Sequence, residues 1–103
     1  MPLYMHQWVY KDAQVKRMVL EPQDRSNIVG LATKAFGGTL HHFFFTFGEF
    51  DGMSISEFAD NETALACVMS IVGEGGLQSV KTTVLVTSET AQNAMQKANA
   101  IVK

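Results

Sequence analysis

The segment from Gly37 to Asp51 constrains the fold of this 103-residue chain more than any other. Its leading glycine pair is typical of the left-handed residue that ends a helix. The following stretch, Thr39–Phe47, is rich in aromatic and β-branched side chains, which favour a half-buried strand. Residues 48–51 have turn chemistry, and a second short strand is predicted at Met53–Phe58. The middle of the chain is therefore predicted to form a β-hairpin.

The elements on either side of this hairpin predict the fold class. They are a strand at Leu3–Tyr10, a helix beginning near Pro22, a helix capped by Asp60, a strand at Leu77–Thr87 and a C-terminal helix over Glu89–Val102. This order predicts an α+β, ferredoxin-like βαββαβ domain, with an antiparallel sheet, helices on one face and an added C-terminal helix. The length allows one core, so residues 1–103 are predicted to form a single domain.

Composition indicates that part of the surface is covered by another molecule. Apolar residues make up 47% of the chain and charged residues 17%, whereas about 25% is usual for charged residues. Aromatic residues also alternate along the first two strands, so the sheet face away from the helices is too apolar to be left in water. A second copy packed sheet to sheet is the simplest cover. We therefore expect a homodimer or a larger homo-oligomer, not a monomer.

Charge and hydropathy argue against two classes of partner. The net charge of −2 gives no electrostatic basis for binding nucleic acid. The longest apolar run, Ala64–Val72, is too short to cross a membrane. The first residues, Met1–Tyr4, lack the pattern of a signal peptide, so we expect a cytoplasmic protein. The lone Cys67 stands among apolar residues and is predicted to be a buried, structural thiol.

The turn Gly48-Glu49-Phe50-Asp51, its continuation through residues 52–60 and the later stretch Ser79–Leu85 resemble the GYD domain family of small bacterial and archaeal proteins. That family resembles a branch of the dimeric α/β-barrel group. Phe50 stands where the family usually has Tyr. A buried Phe anchors the turn equally well, whereas a catalytic role of the Tyr hydroxyl would be lost. The resemblance implies a fold and a dimer built around a β-barrel, but no particular reaction.

One candidate site lies on the first strand. Tyr4, His6 and Trp8 alternate along it and share one face. The first strand is central in a ferredoxin-like sheet, so these side chains are predicted to line a cavity between the two sheets of a dimer. An aromatic cavity with few polar groups suits a small hydrophobic molecule. The alternative is a filled dimer interface, in which Trp and Tyr are common.

A second candidate pair comes from the hairpin. Phe43, Phe45 and Phe47 are predicted to face the helices, which leaves His42 and Phe44 on the barrel face. Pairing the last of these phenylalanines with Gly52 would put Glu57 opposite His42. A carboxylate beside this imidazole would raise its pKa and could orient it for acid–base chemistry. The alternative is a cross-strand ion pair with no catalytic role.

The remaining polar residues give weaker indications. His41 and His42 are adjacent and are predicted to point to opposite faces, so no metal site is expected from them. Asp51 is predicted to bond its own backbone in the turn. No zinc-protease motif, nucleophile elbow, cysteine pair or phosphate-binding loop is present, and no cofactor is expected.

Three functions are compatible with this sequence. The first is a dimeric α/β-barrel that binds a small hydrophobic or aromatic ligand or serves as an assembly module. The second is a cofactor-free oxygenase or isomerase that works in the inter-sheet cavity, with His6 or His42 as the base. The third is haem or metal binding through the same histidines.

Overall fold

The computed structural model describes residues 1–102 as four strands and four helices. The elements are β1 (Leu3–Tyr10), α1 (Asp12–Leu20), α2 (Arg25–Ala35), β2 (Thr39–Phe45), β3 (Gly52–Glu57), α3 (Asn61–Val72), β4 (Leu77–Leu85) and α4 (Ser88–Val102). The strands form one antiparallel sheet in the order β2-β3-β1-β4. This is the predicted ferredoxin-like topology. One element differs: residues 11–20, a mixed stretch in the sequence, form the extra helix α1.

Local capping explains where the two packed helices begin and end. Gly37 has a φ of 75°, the left-handed conformation predicted for the end of α2. The Asp60 carboxylate accepts a hydrogen bond from the Thr63 backbone N–H at 2.8 Å and caps α3 as predicted. The start of α2 lies later than predicted. Asp24 caps it by accepting from the Ser26 N–H, so Pro22 lies outside the helix.

The register of the hairpin differs from the prediction. β2 ends at Phe45, two residues early, and Phe45 rather than Phe47 lies opposite Gly52. The pairing of β2 with β3 is also shifted by a β-bulge between Leu40 and His42. A bulge places two residues of one strand against one residue of the other, and so changes the alternation of side chains.

The two helices α2 and α3 cover one face of the sheet, and this face carries the aromatic residues of β1. Tyr4, Trp8 and Tyr10 are all at most 6% exposed. The densest part of the core lies beside them and contains Tyr4, Phe58, Ala64 and Cys67, with Phe36 and Ile71 packed against it. The prediction that Tyr4, His6 and Trp8 face a second sheet is therefore wrong: they face the helices of their own domain.

The other face of the sheet is uncovered in this chain. On β1 it carries half-buried side chains, Leu3, Met5, Gln7 and Val9. We call this the open face. No residue of α1 or α4 is buried either, and the radius of gyration is 16.4 Å, against about 13 Å for a compact chain of this length. None of the helices described for residues 1–102 has the length and apolar character needed to cross a membrane.

Candidate functional site

A cavity of about 70 Å³ lies between the sheet and helices α2 and α3. Its floor comes from β1, β3 and β4, and its roof from the two helices. The residues that line it are His6, Trp8, Tyr10, Arg25, Val29, Thr33, Ser54, Ser56, Phe58, Cys67, Val68, Ile71, Val72, Leu77 and Val80. Most of these side chains are apolar, and the polar ones are few. This combination is the usual character of a small-molecule site.

Small residues on β3 make room for the cavity. Gly52, Ser54 and Ser56 occur at every second position, so they share the face of the sheet that meets the helices. All three are buried. An ideal Cβ on Gly52 would lie 2.3 Å from Trp8 Cζ2, because the indole ring packs directly over this glycine. Larger side chains at these positions would fill the space between sheet and helices.

His6 stands at the floor of the cavity with both ring nitrogens engaged. Its Nδ1 lies 3.0 Å from Thr82 Oγ1, and its Nε2 lies 3.1 Å from Ser56 Oγ. Burial lowers the pKa of His6 below the usual value, because the charged imidazolium is poorly solvated there. His6 is therefore a neutral ring at pH 7, fixed by two hydroxyl groups.

Two nitrogen donors at the cavity lack a partner within the described part of the chain. The indole Nε1 of Trp8 and the guanidinium Nε of Arg25 are both buried without a hydrogen-bond acceptor. Nearly all buried donors in proteins are satisfied by protein or by water, so two exceptions at one cavity are informative. The pair points to an acceptor that is supplied from outside the chain.

A second, more polar pocket of about 190 Å³ adjoins the cavity. It shares Tyr10, Arg25, Ile71 and Leu77 with the cavity, and adds Gln14, Arg17, Glu74 and Gly76. Arg25 therefore belongs to the boundary between the two spaces. The Arg17 guanidinium donates a hydrogen bond to Gln14 Oε1 at 2.7 Å in this outer pocket.

The predicted strand-one residues have different roles in the structure. Trp8 and His6 line the cavity, whereas Tyr4 belongs to the core and is not among the lining residues. The Tyr4 hydroxyl donates to Asn61 Oδ1 at 2.7 Å, which ties β1 to the start of α3. Cys67 is buried as predicted, and burial raises the pKa of its thiol.

The predicted pair of His42 and Glu57 does not form. His42 lies opposite Ile55 and stacks on Phe44, with ring centroids 6.2 Å apart. Glu57 instead meets the neighbouring histidine: His41 Nε2 lies 3.1 Å from Glu57 Oε1. The register explains the lost pair, because Phe45 rather than Phe47 lies opposite Gly52, which places His42 opposite Ile55. The bulge explains the new pair, because it brings His41 to the side of the sheet that carries Glu57. The prediction that His41 and His42 point to opposite faces is wrong for the same reason.

These corrections place the predicted ligand-binding residues on two opposite surfaces. His6 and Trp8 lie under the helices, whereas His42, Phe44 and Glu57 belong to the open face. They cannot line one cavity. Within residues 1–102, no three His, Cys, Asp or Glu side chains converge in a way that could hold a metal ion.

The turn of the hairpin contacts the end of β1. The carboxylate of Asp51 accepts a hydrogen bond from the Tyr10 backbone N–H at 2.8 Å, rather than bonding its own turn as predicted. The Asp51 N–H donates to the Trp8 carbonyl, also at 2.8 Å. Within the turn, the Thr46 hydroxyl donates to the Phe50 carbonyl at 2.7 Å. The turn that begins at Gly48 therefore supports the strand that carries the cavity floor.

Sequence reasoning noted Arg25 as a charged residue near the start of a helix but gave no site role to Arg25, Ser54 or Ser56. The two serines had a signal: small residues at every second position of a strand predict space above that face. Arg25 had none, because only the packing of α2 on the sheet brings its side chain to the cavity.

Two solved structures share this fold. The crystal structure of MtbAldR superposes with a TM-score of 0.61 and 15% identity, covering 84% of this chain and 53% of that one. This chain thus spans about half the length of MtbAldR. The crystal structure of FFRP-DM1 gives a TM-score of 0.51 and 12% identity, covering 84% of this chain and all of that one. At these identities the likeness shows the ferredoxin-like fold alone.

The sequence itself matches a family model. No curated protein matches this chain. The model of the GYD domain, however, matches residues 4–95, which include β2, β3, β4, all of β1 except Leu3, and the helices that roof the cavity. This chain therefore belongs to the GYD domain family.

Proposed function

We propose that this GYD domain is a binding module that holds one small, mostly apolar molecule between its sheet and helices α2 and α3. The cavity of about 70 Å³ carries this proposal. Protein interiors are close-packed, and voids larger than a water molecule are few. A space kept open by small residues on β3, in the middle of a small domain, is best explained by an occupant.

The size of the cavity supports a compact ligand. An apolar cavity of about 150 Å³ is large enough to bind benzene. The cavity here has about half that volume, so the part of a ligand that it encloses should have fewer atoms than a six-membered ring. Of the hydrophobic and aromatic ligands considered from the sequence, a short aliphatic molecule fits better than an aromatic one.

The sole tryptophan of the chain provides a specific test. Trp8 gives one indole N–H signal in a ¹⁵N NMR spectrum, and its side chain lines the cavity. We expect isobutyramide, a compact uncharged probe, to shift that signal saturably. Val29→Phe should fill the cavity and abolish the shift.

Ile28→Phe is the matched control, because Ile28 neighbours Val29 on α2, is partly exposed and does not line the cavity. This variant should bind the probe like the parent protein. If neither isobutyramide nor the carboxylate of the same shape, isobutyrate, causes a saturable shift in the parent protein, the cavity is not a binding site. A thermal melt of each variant checks that it is folded.

We also propose that the module is a homodimer joined through its open face. The support is the apolar character of that face, where Phe44 is 57% exposed and the β1 residues are only half-buried. The face also carries one carboxylate, Glu57, and one ammonium, Lys81, which a twofold axis can bring into opposition. A second copy therefore fits the face in both hydropathy and charge.

Sedimentation velocity tests the dimer. Phe44→Lys should convert it to a monomer, because the substitution would bury an unpaired charge in the interface. Phe47→Lys is the control: Phe47 is fully exposed and lies beyond the end of β2, so this variant should remain dimeric. A parent protein that sediments as a monomer at micromolar concentration would contradict the proposal.

No observation favours the alternative of a cofactor-free oxygenase or isomerase. His6 has both ring nitrogens near hydroxyl groups, and within residues 1–102 His42 has no carboxylate partner. The two histidines also lie on opposite faces of the sheet. The same separation argues against haem or metal binding through both histidines.

A further inference from the structure

We propose that the ligand of the cavity is a short aliphatic monocarboxylate, whose carboxylate is held by the Arg25 guanidinium and the Trp8 indole N–H. This inference rests on the proposed binding function and specifies its ligand class. Four features of the cavity support it: unsatisfied donors, an uncompensated cation, apolar walls and a polar outer pocket beside Arg25.

The unsatisfied donors define the polar end of the ligand. Trp8 is only 6% exposed, and its indole nitrogen can donate but cannot accept a hydrogen bond. The Arg25 side chain also has donors and no acceptor. Because the Trp8 nitrogen and Arg25 Nε are both buried without partners, the missing group must be an acceptor. A carboxylate has two oxygens that accept hydrogen bonds and can serve both residues.

The charge of Arg25 selects an anion over a neutral acceptor. Arginine stays protonated in proteins. Among the residues described, no carboxylate lies within salt-bridge distance of Arg25, and no acidic side chain lines the cavity. The outer pocket does contain an acidic side chain, Glu74, but Glu74 forms no salt bridge with Arg25. A guanidinium whose Nε is buried without a partner or a counter-ion is unfavourable, and a carboxylate ligand would supply both.

His6 is neutral and so does not compete with Arg25 as the cation that would bind the carboxylate. Its imidazole is uncharged at pH 7 because of its burial, and its two nitrogens are already engaged with Thr82 and Ser56. Arg25 is therefore the one fixed cation among the residues that line the cavity.

The rest of the cavity suits a short hydrocarbon tail. Val29 and Val68 on the helices face Val80 on β4 across it, and the volume of about 70 Å³ leaves room for only a few carbon atoms. Arg25 also lines the outer pocket, in which Arg17 adds a second cation. An anion that arrives through this pocket would meet positive charge before its tail enters the apolar space.

The test compares two probes of the same shape, isobutyrate and isobutyramide, followed by the Trp8 indole signal. We expect isobutyrate to bind at least about tenfold more tightly, because its hydrogen bonds to Arg25 are charge-assisted. Inorganic phosphate has the charge without the tail and should not bind in the cavity. Arg25→Met keeps an unbranched side chain without the charge, and should remove the preference for the acid while the amide still binds.

Lys34→Met is the matched control, since it removes one positive charge from an exposed position of the same helix. It should keep the preference for isobutyrate. Equal binding of acid and amide, or an unchanged preference in Arg25→Met, would overturn the carboxylate assignment and leave the cavity as a binding site. Absence of binding by both probes would overturn the proposed function itself. A shift caused by phosphate alone would indicate an anion site without a tail, and would also overturn the assignment.

Discussion

The Asp51 carboxylate accepts a hydrogen bond from the backbone N–H of Tyr10, 41 residues earlier in the chain, at 2.8 Å. This contact falls where the pairing of β1 with β4 shifts register, between Val9 and Tyr10. A register shift leaves backbone groups without their regular ladder partners. From the hairpin turn, the Asp51 side chain supplies an acceptor for the Tyr10 N–H, and the Asp51 N–H donates to the Trp8 carbonyl. The hairpin turn thus fixes the end of the strand that carries Trp8.

Asp51→Ala should destabilise the domain. The substitution leaves the Tyr10 N–H without its acceptor, and losing a hydrogen bond to a charged group costs about 1–3 kcal/mol. Asp51→Asn keeps an acceptor oxygen and should lose less. Urea unfolding measures both free energies. Equal losses in the two variants would show that the charge, not the hydrogen bond, is what matters.

Gly52→Ala should be strongly destabilising for a substitution of one methyl group. The new Cβ would lie 2.3 Å from Trp8 Cζ2, so the indole ring would have to move at a cost of about 1–3 kcal/mol. Gly30→Ala is the control, since its Cβ would meet only Leu40 Cδ2 at 3.7 Å. That change lies within helix α2 and should stabilise the domain by up to about 1 kcal/mol. Thermal unfolding compares the two variants, and similar melting temperatures would contradict the close packing of Trp8 on Gly52.

His6 should make folding stability fall as the pH drops below neutrality. Its pKa is lower in the folded state than the value of about 6.5 for an exposed histidine, so the unfolded chain binds more protons between the two values. The contribution of His6 is therefore fully present above pH 6.5 and is lost as the pH falls toward the folded pKa. Unfolding free energies measured from pH 7.5 to 5 should show this loss.

His6→Asn should flatten that dependence, and His42→Asn, on the exposed part of β2, should retain it. The lowered pKa values of Asp24 and Asp60 affect stability only near and below pH 4, outside this window. If the unfolding free energy depends on pH in the same way in the parent protein and in both variants, His6 is not the source of the dependence.

Tyr4→Phe should cost about 0.5–1.5 kcal/mol, because the buried hydroxyl donates to Asn61 Oδ1 at 2.7 Å. The ring itself packs edge-on to Phe58, with centroids 5.9 Å apart, and remains in the variant. A double-mutant cycle with Asn61→Ala isolates the hydrogen bond. Strictly additive losses would show that the two side chains are not coupled.

Local sequence signals were sufficient for much of this fold. The aromatic and β-branched run at Leu3–Tyr10 predicted β1 to the residue, and Gly37 and Asp60 marked a helix end and a helix start. These features depend on near neighbours in the chain: backbone conformation at a glycine, a side-chain cap, a strand of alternating faces. The family followed from the hairpin residues for the same reason.

The site depended on tertiary structure. Alternation along β1 predicted that Tyr4, His6 and Trp8 share a face, but an alternating pattern does not say which face the helices cover. The pairing of His41 rather than His42 with Glu57 depended on a register two residues from the predicted one and on a bulge, and no local signal in β2 marks either of them. Arg25 reaches the cavity only because α2 packs across the sheet. The sequence by itself determined the strands, the helices other than α1 and the alternation of side chains along β1, because those depend on local backbone geometry. Only the packed structure decided which faces meet, because that depends on contacts between residues far apart in the chain.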